Sequence, residues 1–326
     1  TTTTSYGQRL AGSAKGMVGG LLMFIIGTCL LWWNEGRAVK TAKAIGDAAS
    51  NVEIVDDVSK VNASLNGKLI HASAFADTKD TLTDDMFGVR ELAIRLDRKV
   101  EYYQWVENAQ TREREKIGGG KETTTTYTYE QKWVDKPVNS AEFKDPQYQS
   151  ANKVLSEVED KSEMASNVTF GAYTLPESFV SAISGGEPAE VRMTEQQTFA
   201  WNEQLHALMP TVDETTSLIH TSANTAYLGI SPNSPQIGDV RITFTKVVPT
   251  DISLIAKVNG STFEAYKAKN GQKFTRIEMG KVSADEMLEH AKSENNIWTW
   301  VLRVLGIMLV VGGLKAMFGL LPMLFK

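Results

Sequence analysis

A chain of 326 residues with 34 Lys and Arg, 39 Asp and Glu and a formal net charge of −5 has no general attraction for nucleic acid. At 42% apolar it is long enough for one or two domains around a substantial core. Its single cysteine, Cys29, excludes a disulfide framework and a cysteine-rich zinc site.

In chain order, residues 1–13 are small and polar, with Thr1 to Thr4, Ser5, Gly7 and Gly12, and read as a leader. Residues 14–33 follow as a first transmembrane helix. From Met17 to Trp33 there is no charge, and these seventeen residues give roughly 26 Å of helix against a bilayer core of about 30 Å. Lys15 can snorkel to the headgroups, and Trp32 and Trp33 stand where an interfacial aromatic belt belongs. Apolar residues run round every face, unlike the single stripe of a soluble core helix, and no small-x-small cleavage site follows, unlike a signal peptide. Gly12, Gly16 and Gly20 are spaced by four, and Gly27 follows at seven. They make one small-residue face on which helix backbones can approach closely, within the chain or between copies.

Residues 34–282 return to ordinary soluble composition and read as a β-rich domain, in one or two subdomains. Leu92, Ile94 and Leu96 alternate with polar neighbours, the period of a strand. Val100–Val106 and Thr123–Tyr129 with Trp133 are strand-forming runs on either side of Gly118–Gly120, one long hairpin that would bring Trp105 beside Trp133. The run Arg112–Lys116 reads as its solvated tip. Ala151–Lys161 and Thr194–Leu208 are helix-compatible, and Pro176–Ile183 is a short helix ended by Gly185 and Gly186. Val240, Ile242 and Phe244 alternate again, Pro249–Asp251 turns the chain, and Asn259-Gly260 and Asn270-Gly271 are favoured hairpin turns. Together these predict a four-stranded antiparallel meander.

Residues 283–318 form a capped helix running into a second span. Ser283-Ala-Asp-Glu286 is a capping box, with Val282 and Met287 placed for a hydrophobic staple. The apolar run begins at Ile297, with Trp298 and Trp300 at its entry, Lys315 at its exit and Arg303 close enough to the surface to snorkel. Gly306 and Gly313, seven apart, offer a face to match that of the first span. A final apolar piece, Ala316–Phe325, broken by Pro322, is too short to span, and residues 319–326 read as the start of a loop toward further spans. Two spans put both ends on one side, but the charges flanking the first span are too evenly divided to say which side.

These segments together resemble the transmembrane protein 43 (LUMA) family. The resemblance is carried by Trp33-Asn-Glu-Gly-Arg-Ala-Val39, Gly67-Lys-Leu-Ile-His71, Phe87-Gly-Val89, Val100-Glu-Tyr-Tyr-Gln-Trp105, Thr126-Tyr-Thr-Tyr129 with Trp133, Gly238–Phe244 and Ser283–Glu286. The first and fourth are the most specific. The resemblance implies an integral membrane protein whose large domain faces the lumen of the endoplasmic reticulum and inner nuclear membrane, or the periplasm in a bacterial inner membrane. It further implies self-association, contact with other membrane proteins, no catalytic residues, and a second pair of spans beyond residue 326.

The chemistry outside the spans is sparse. His71, His206, His220 and His290 are scattered without a second ligand at helical spacing, so no metal site is expected. Asp84-Asp85 and Glu157, Glu159 and Asp160 lack the glycine-centred spacing of a calcium loop and read as solvated surface. No phosphate-cradling, nucleophile-elbow or zinc-protease motif occurs, and no cofactor is implied. Asn62, Asn167 and Asn259 begin glycosylation sequons. The expectation is an α+β membrane protein in which two transmembrane helices flank the β-rich domain. It would act as a self-associating, homo-oligomeric scaffold with membrane lipids and membrane proteins as partners and no enzymatic activity. The alternative is a membrane-anchored ligand-binding or sensor domain; a membrane-anchored hydrolase would need an assembled nucleophile–base pair.

Overall fold

The computed structural model describes residues 2–4, 6–115 and 121–318, with side chains described from Gly16 onward in the first helix. That helix, α1, runs unbroken from Tyr6 to Asn51, because no proline interrupts it. At 1.5 Å per residue it is roughly 69 Å long, far more than a bilayer needs, so its second half stands clear as a stalk. Only 11% of its most apolar stretch is buried, as in the second long helix, Ala284–Phe318. The core helix of a soluble protein would show the reverse. Leu22, Ile26, Ile307 and Met308 all lie more than half exposed, which lipid tolerates and water does not.

Between the two helices lies a domain of antiparallel sheet. Its strands are β1 (Leu69–Thr78), β2 (Arg95–Glu115), β3 (Lys121–Val134), β4 (Lys161–Met164), β5 (Ile219–Ser222), β6 (Thr225–Leu228), β7 (Val240–Val247), β8 (Thr250–Asn259) and β9 (Arg276–Met279), with shorter pieces between. Among the described residues they form two principal sheets. The larger runs β3-β2-β7-β6-β5, with β4 also on β2; the smaller is built on β1 and β8, with β9 on β8. The larger sheet buries Val100, Tyr102, Ile242 and Phe244 under helix α2 (Glu195–Leu208), whose Leu205 completes the cluster. The smaller buries Ile70, Ala72, Ile252 and Leu254 with Phe170 and Phe263. On its other face Leu69 and Ile255 meet Ile45 and Ala48 of α1 and Met287, Leu288 and Ala291 of α3 (Ala284–Phe318). The domain thus sits on both helices at once.

Much of the predicted local structure is present. The expected helix after Thr194 forms, with an unforeseen reciprocal capping box between Thr194 and Gln197, and the predicted box of Ser283 and Glu286 caps α3. Glu177–Val180 forms the short helix. The long hairpin forms, but its register is Tyr103 opposite Trp133 and Trp105 opposite Gln131, two residues from the expected pairing. Trp105 instead sets its edge on Tyr148, at 4.9 Å between ring centres. The turn, with Gly118 to Gly120, lies outside the described residues, as does Pro322.

Four expectations need correction. Residues 151–160 form an extended strap instead of a helix: Leu155 N–H binds Gly238 O, and the Val158 carbonyl and Asp160 carboxylate are taken by Tyr102 and the Val100 N–H. Strands β7 and β8 do not belong to one meander. The chain changes sheets at Pro249, where β7 pairs with β2 and β8 with β1. Leu92 is half exposed and ends a separate hairpin with Thr81–Asp84, so the alternation through Ile94 and Leu96 breaks. Asp84 is not solvated: it is 3% exposed and held by Arg98 at 2.7 Å.

One strand pairing is incompatible with a membrane. Thr2–Thr4 lie antiparallel to Lys121–Thr123 at the far end of the hairpin. A bilayer around the spans puts the amino terminus and the domain on opposite faces, so the embedded chain cannot keep this contact.

Candidate functional site

The place where this chain spends unusual chemistry is the seam between α1 and α3. Its lower part is made of glycine. A Cβ built on Gly20 would stand 2.7 Å from Gly313 O, and one on Gly313 would stand 2.6 Å from Gly20 O. Gly27 and Gly306 repeat the arrangement two turns on: a Cβ on Gly27 would meet Gly306 O at 2.9 Å, and one on Gly306 would meet the Leu31 side chain at 2.7 Å. Real Cβ atoms do not approach backbone this closely. The two helix backbones therefore touch at spacing only glycine permits, which in lipid supplies the van der Waals contact that holds helices together.

Just past the tryptophans the seam turns polar. Asn34, fully buried, donates its amide to the Thr299 carbonyl at 2.9 Å. Arg37 donates to Asn34 Oδ1, to Asn295 Oδ1 at 3.1 Å and to Thr299 Oγ1 at 3.0 Å. Asn295 returns a bond to the Ala38 carbonyl at 3.1 Å. On the flank, Glu35 takes both arms of Arg303, at 2.7 and 2.9 Å, and that guanidinium lies 4.9 Å from the Trp300 ring centre. Positions 34, 37 and 38 of α1 and 295 and 299 of α3 share the inward face because they are three or four apart. A polar clasp with its bonds made internally fixes register and azimuth, where glycines and leucines alone would let one helix slide along the other.

The residues singled out by sequence divide accordingly. Gly20, Gly27, Gly306 and Gly313 lie in the seam. Gly16 faces open space, with nothing within 4 Å of a built Cβ, and Gly12 lies outside the described side chains. Trp32, Trp33, Trp298 and Trp300 are 82%, 57%, 60% and 63% exposed; the first two precede the clasp on α1, and the other two flank Thr299 at its level on α3. Arg303, expected only to snorkel, is paired with Glu35. Sequence reading missed Asn34, Arg37, Asn295 and Thr299. The available signal was two polar pairs at helical spacing, each within one turn or so of an apolar run, the first inside the Trp33–Val39 segment.

A second feature lies on the outer face of the larger sheet. Trp133, His220, Tyr227, Pro232 and Arg241 line a hollow of about 140 Å³. Arg241 stacks 4.4 Å from the Trp133 ring centre and pairs with Glu101 at 2.7 Å. Beneath it Tyr227 donates to the buried Asp239 at 2.5 Å, and burial holds the Asp239 carboxyl above its ordinary range. Among the described residues no three of His, Cys, Asp and Glu gather as a metal site would require.

Comparison with known proteins places these features in a family. The family model described as Transmembrane protein 43 matches residues 102–326. The Transmembrane protein 43 of Rattus norvegicus is 29% identical over 320 residues, covering 95% of this chain and 75% of its own length. That of Homo sapiens is 28% identical over the same extents, and the Drosophila melanogaster homolog is 25% identical over 313 residues, 94% of this chain and 77% of its own. No solved structure matches.

Proposed function

The chain belongs to the transmembrane protein 43 family, and from that premise we propose that it is a non-catalytic membrane scaffold that self-associates and organises its surroundings, its domain facing the periplasm or lumen. The observation that carries this reading is the seam. A catalyst or transporter with intramembrane chemistry would aim polar groups at a cavity, whereas here Asn34, Arg37, Asn295 and Thr299 are consumed in joining α1 to α3. The result is a rigid post on which the domain is held by a further apolar cluster. Because Gly20, Gly27, Gly306 and Gly313 are occupied within the chain, self-association uses other surfaces: the lipid-facing flank with Gly16 and Gly19, and the soluble domain.

The test is the mass of the full-length protein extracted with its native lipid in polymer-bounded discs. Multiples of the single-chain mass, matched by crosslinked ladders in intact membranes, are expected. A single-chain mass with no crosslinked species would remove the scaffold reading.

The Trp133–Arg241 hollow favours a second reading, a small-ligand sensor. At about 140 Å³ it is well below the usual few hundred cubic ångströms of a ligand pocket. A thermal-shift screen that raises the melting temperature of the wild type but not of Trp133→Ala would promote it.

A further inference from the structure

The hairpin Tyr266–Lys267/Lys273–Phe274 lies against the stalk with its turn toward the bilayer. Asn270 at the tip donates to the Lys40 carbonyl at 2.7 Å and Gln272 to Thr41 Oγ1 at 3.0 Å, while Tyr266 reaches Asp47, further up α1, at 3.0 Å. This arrangement gathers cations at one level. Lys40 and Lys43 are exposed on α1, and Lys267 and Lys273 are exposed and directly opposite one another across the hairpin. Lys269 beside the tip has an 86% exposed side chain.

Two like charges opposed across a strand pair repel, and among the described residues no carboxylate pairs with them. Among the described residues none of Lys40, Lys43, Lys267 and Lys273 makes an ion pair. The two nearest acids on α1 are engaged: Glu35 by Arg303, and Asp47 by Tyr266 and the Lys269 N–H. The chain as a whole is acidic at −5, so this basic collar runs against the composition.

Its height identifies the partner. Trp33 marks the interface, and Lys40 comes seven residues later, roughly 10 Å along the helix, a distance comparable to the Debye length of about 8–10 Å in physiological salt. A lysine side chain reaches several ångströms further down, into the headgroups. We propose that the collar of Lys40, Lys43, Lys267 and Lys273 binds the phosphate-bearing headgroups of anionic lipids in the leaflet beneath the domain. The opposed lysines then face a negative surface, and the stalk gains a preferred standing depth.

The test uses the full chain reconstituted in vesicles of phosphatidylcholine containing brominated phosphatidylglycerol or brominated phosphatidylcholine. Quenching of the four interfacial tryptophans, all on the domain side, reports local lipid occupancy. The wild type should prefer the anionic lipid about fivefold at low salt, an effect of about one lysine's worth of surface attraction. The preference should collapse toward unity in Lys40→Gln/Lys43→Gln/Lys267→Gln/Lys273→Gln and persist when the same four become Arg. A wild type quenched equally by both lipids, or a Gln variant that keeps the preference, would overturn the proposal. So would loss of the preference on adding millimolar glycerol 3-phosphate, which would make this a site for soluble anions.

Discussion

Arg37 shows how much one side chain settles here. It donates to Asn34, Asn295 and Thr299 together, so its loss strands the buried Asn34 Oδ1 and Asn295 Oδ1, while Thr299 Oγ1 keeps its bond to the Asn295 carbonyl. Bonds to a charged donor are worth about 1.5–3 kcal/mol each, and stranded partners add their own penalty. Arg37→Ala should therefore destabilise the helix pair by about 3 kcal/mol, read as a melting temperature lowered by several degrees in mild detergent. Arg37→Lys, with one point charge in place of a fork, should recover only part of it. A pH effect belongs to another residue. Asp80 accepts the backbone N–H groups of Asn167 and Ser166, and these hold its carboxyl below the usual range. Because the folded value is depressed, the stabilisation is complete above the unfolded value near 3.9 and disappears as pH falls through the folded value. Asp80→Asn should thus melt below the wild type at pH 6, and the gap should close by pH 2. A gap constant across that range would show that Asp80 contributes only shape. Residue-level reading of the sequence saw little of this. Asn34 and Arg37 stood inside a family-like segment without a role, because their partners lie about 260 positions away on another helix.

Elements were more legible than contacts. The Ser283 capping box, the long hairpin and the two apolar helices follow from local pattern: a side-chain oxygen three residues ahead of Glu, glycines between strand-forming runs, and uninterrupted hydropathy. What local pattern could not supply was which strand each strand would choose. Alternation in Val240–Phe244 and in Ile252–Val258 says only that each has one buried face, and Pro249 between them turns the chain from one sheet to the other. The strap at 151–160 departs from expectation for a related reason: its composition is helix-compatible, but its backbone is bound to β2 and the loop at Gly238. For α1 and α3 the spacing of glycines did point to close packing, and the structure separates members of that set by a direct test. Gly313→Val would drive its side chain into the Gly20 carbonyl and the Phe24 backbone and should separate the helices, lowering thermal stability and opening the seam to proteolysis. Gly16→Val meets nothing and should melt within a degree or two of the wild type. If both variants melt alike, the glycine seam is not what joins the spans.

At the scale of the whole molecule, the two long helices are part of the fold as well as its anchor. The stalk halves of α1 and α3 bury Ile45, Ala48, Met287, Leu288 and Ala291 against Leu69 and Ile255, on the face of the smaller sheet opposite its own core. The larger sheet hangs beyond, joined through the chain crossing at Pro249 and the strands leading into β2. Sequence placed the first boundary where hydropathy changes, after residue 33, and hydropathy is blind to the continuation of α1 to Asn51 beside the soluble domain; at the other end the capping box at Ser283 already marked a helix running into the second span. Full burial of an Ile, Met or Leu contributes about 1.5–3 kcal/mol, so Ile45, Met287 and Leu288 together are worth about 5 kcal/mol once residual burial in the unfolded chain is discounted. Domains of this kind are stable by about 5–15 kcal/mol in all. A fragment of residues 40–294, which keeps both stalk halves and neither span, should accordingly be soluble and melt in one cooperative transition. A fragment of residues 52–282, which removes both long helices entirely, should expose Leu69 and Ile255 and lose most of that margin. It should bind a hydrophobic dye, melt well below the longer fragment or aggregate. Equal melting temperatures for the two would mean that the helices merely tether a domain that is complete without them, and the rigid post invoked for scaffolding would lose its basis.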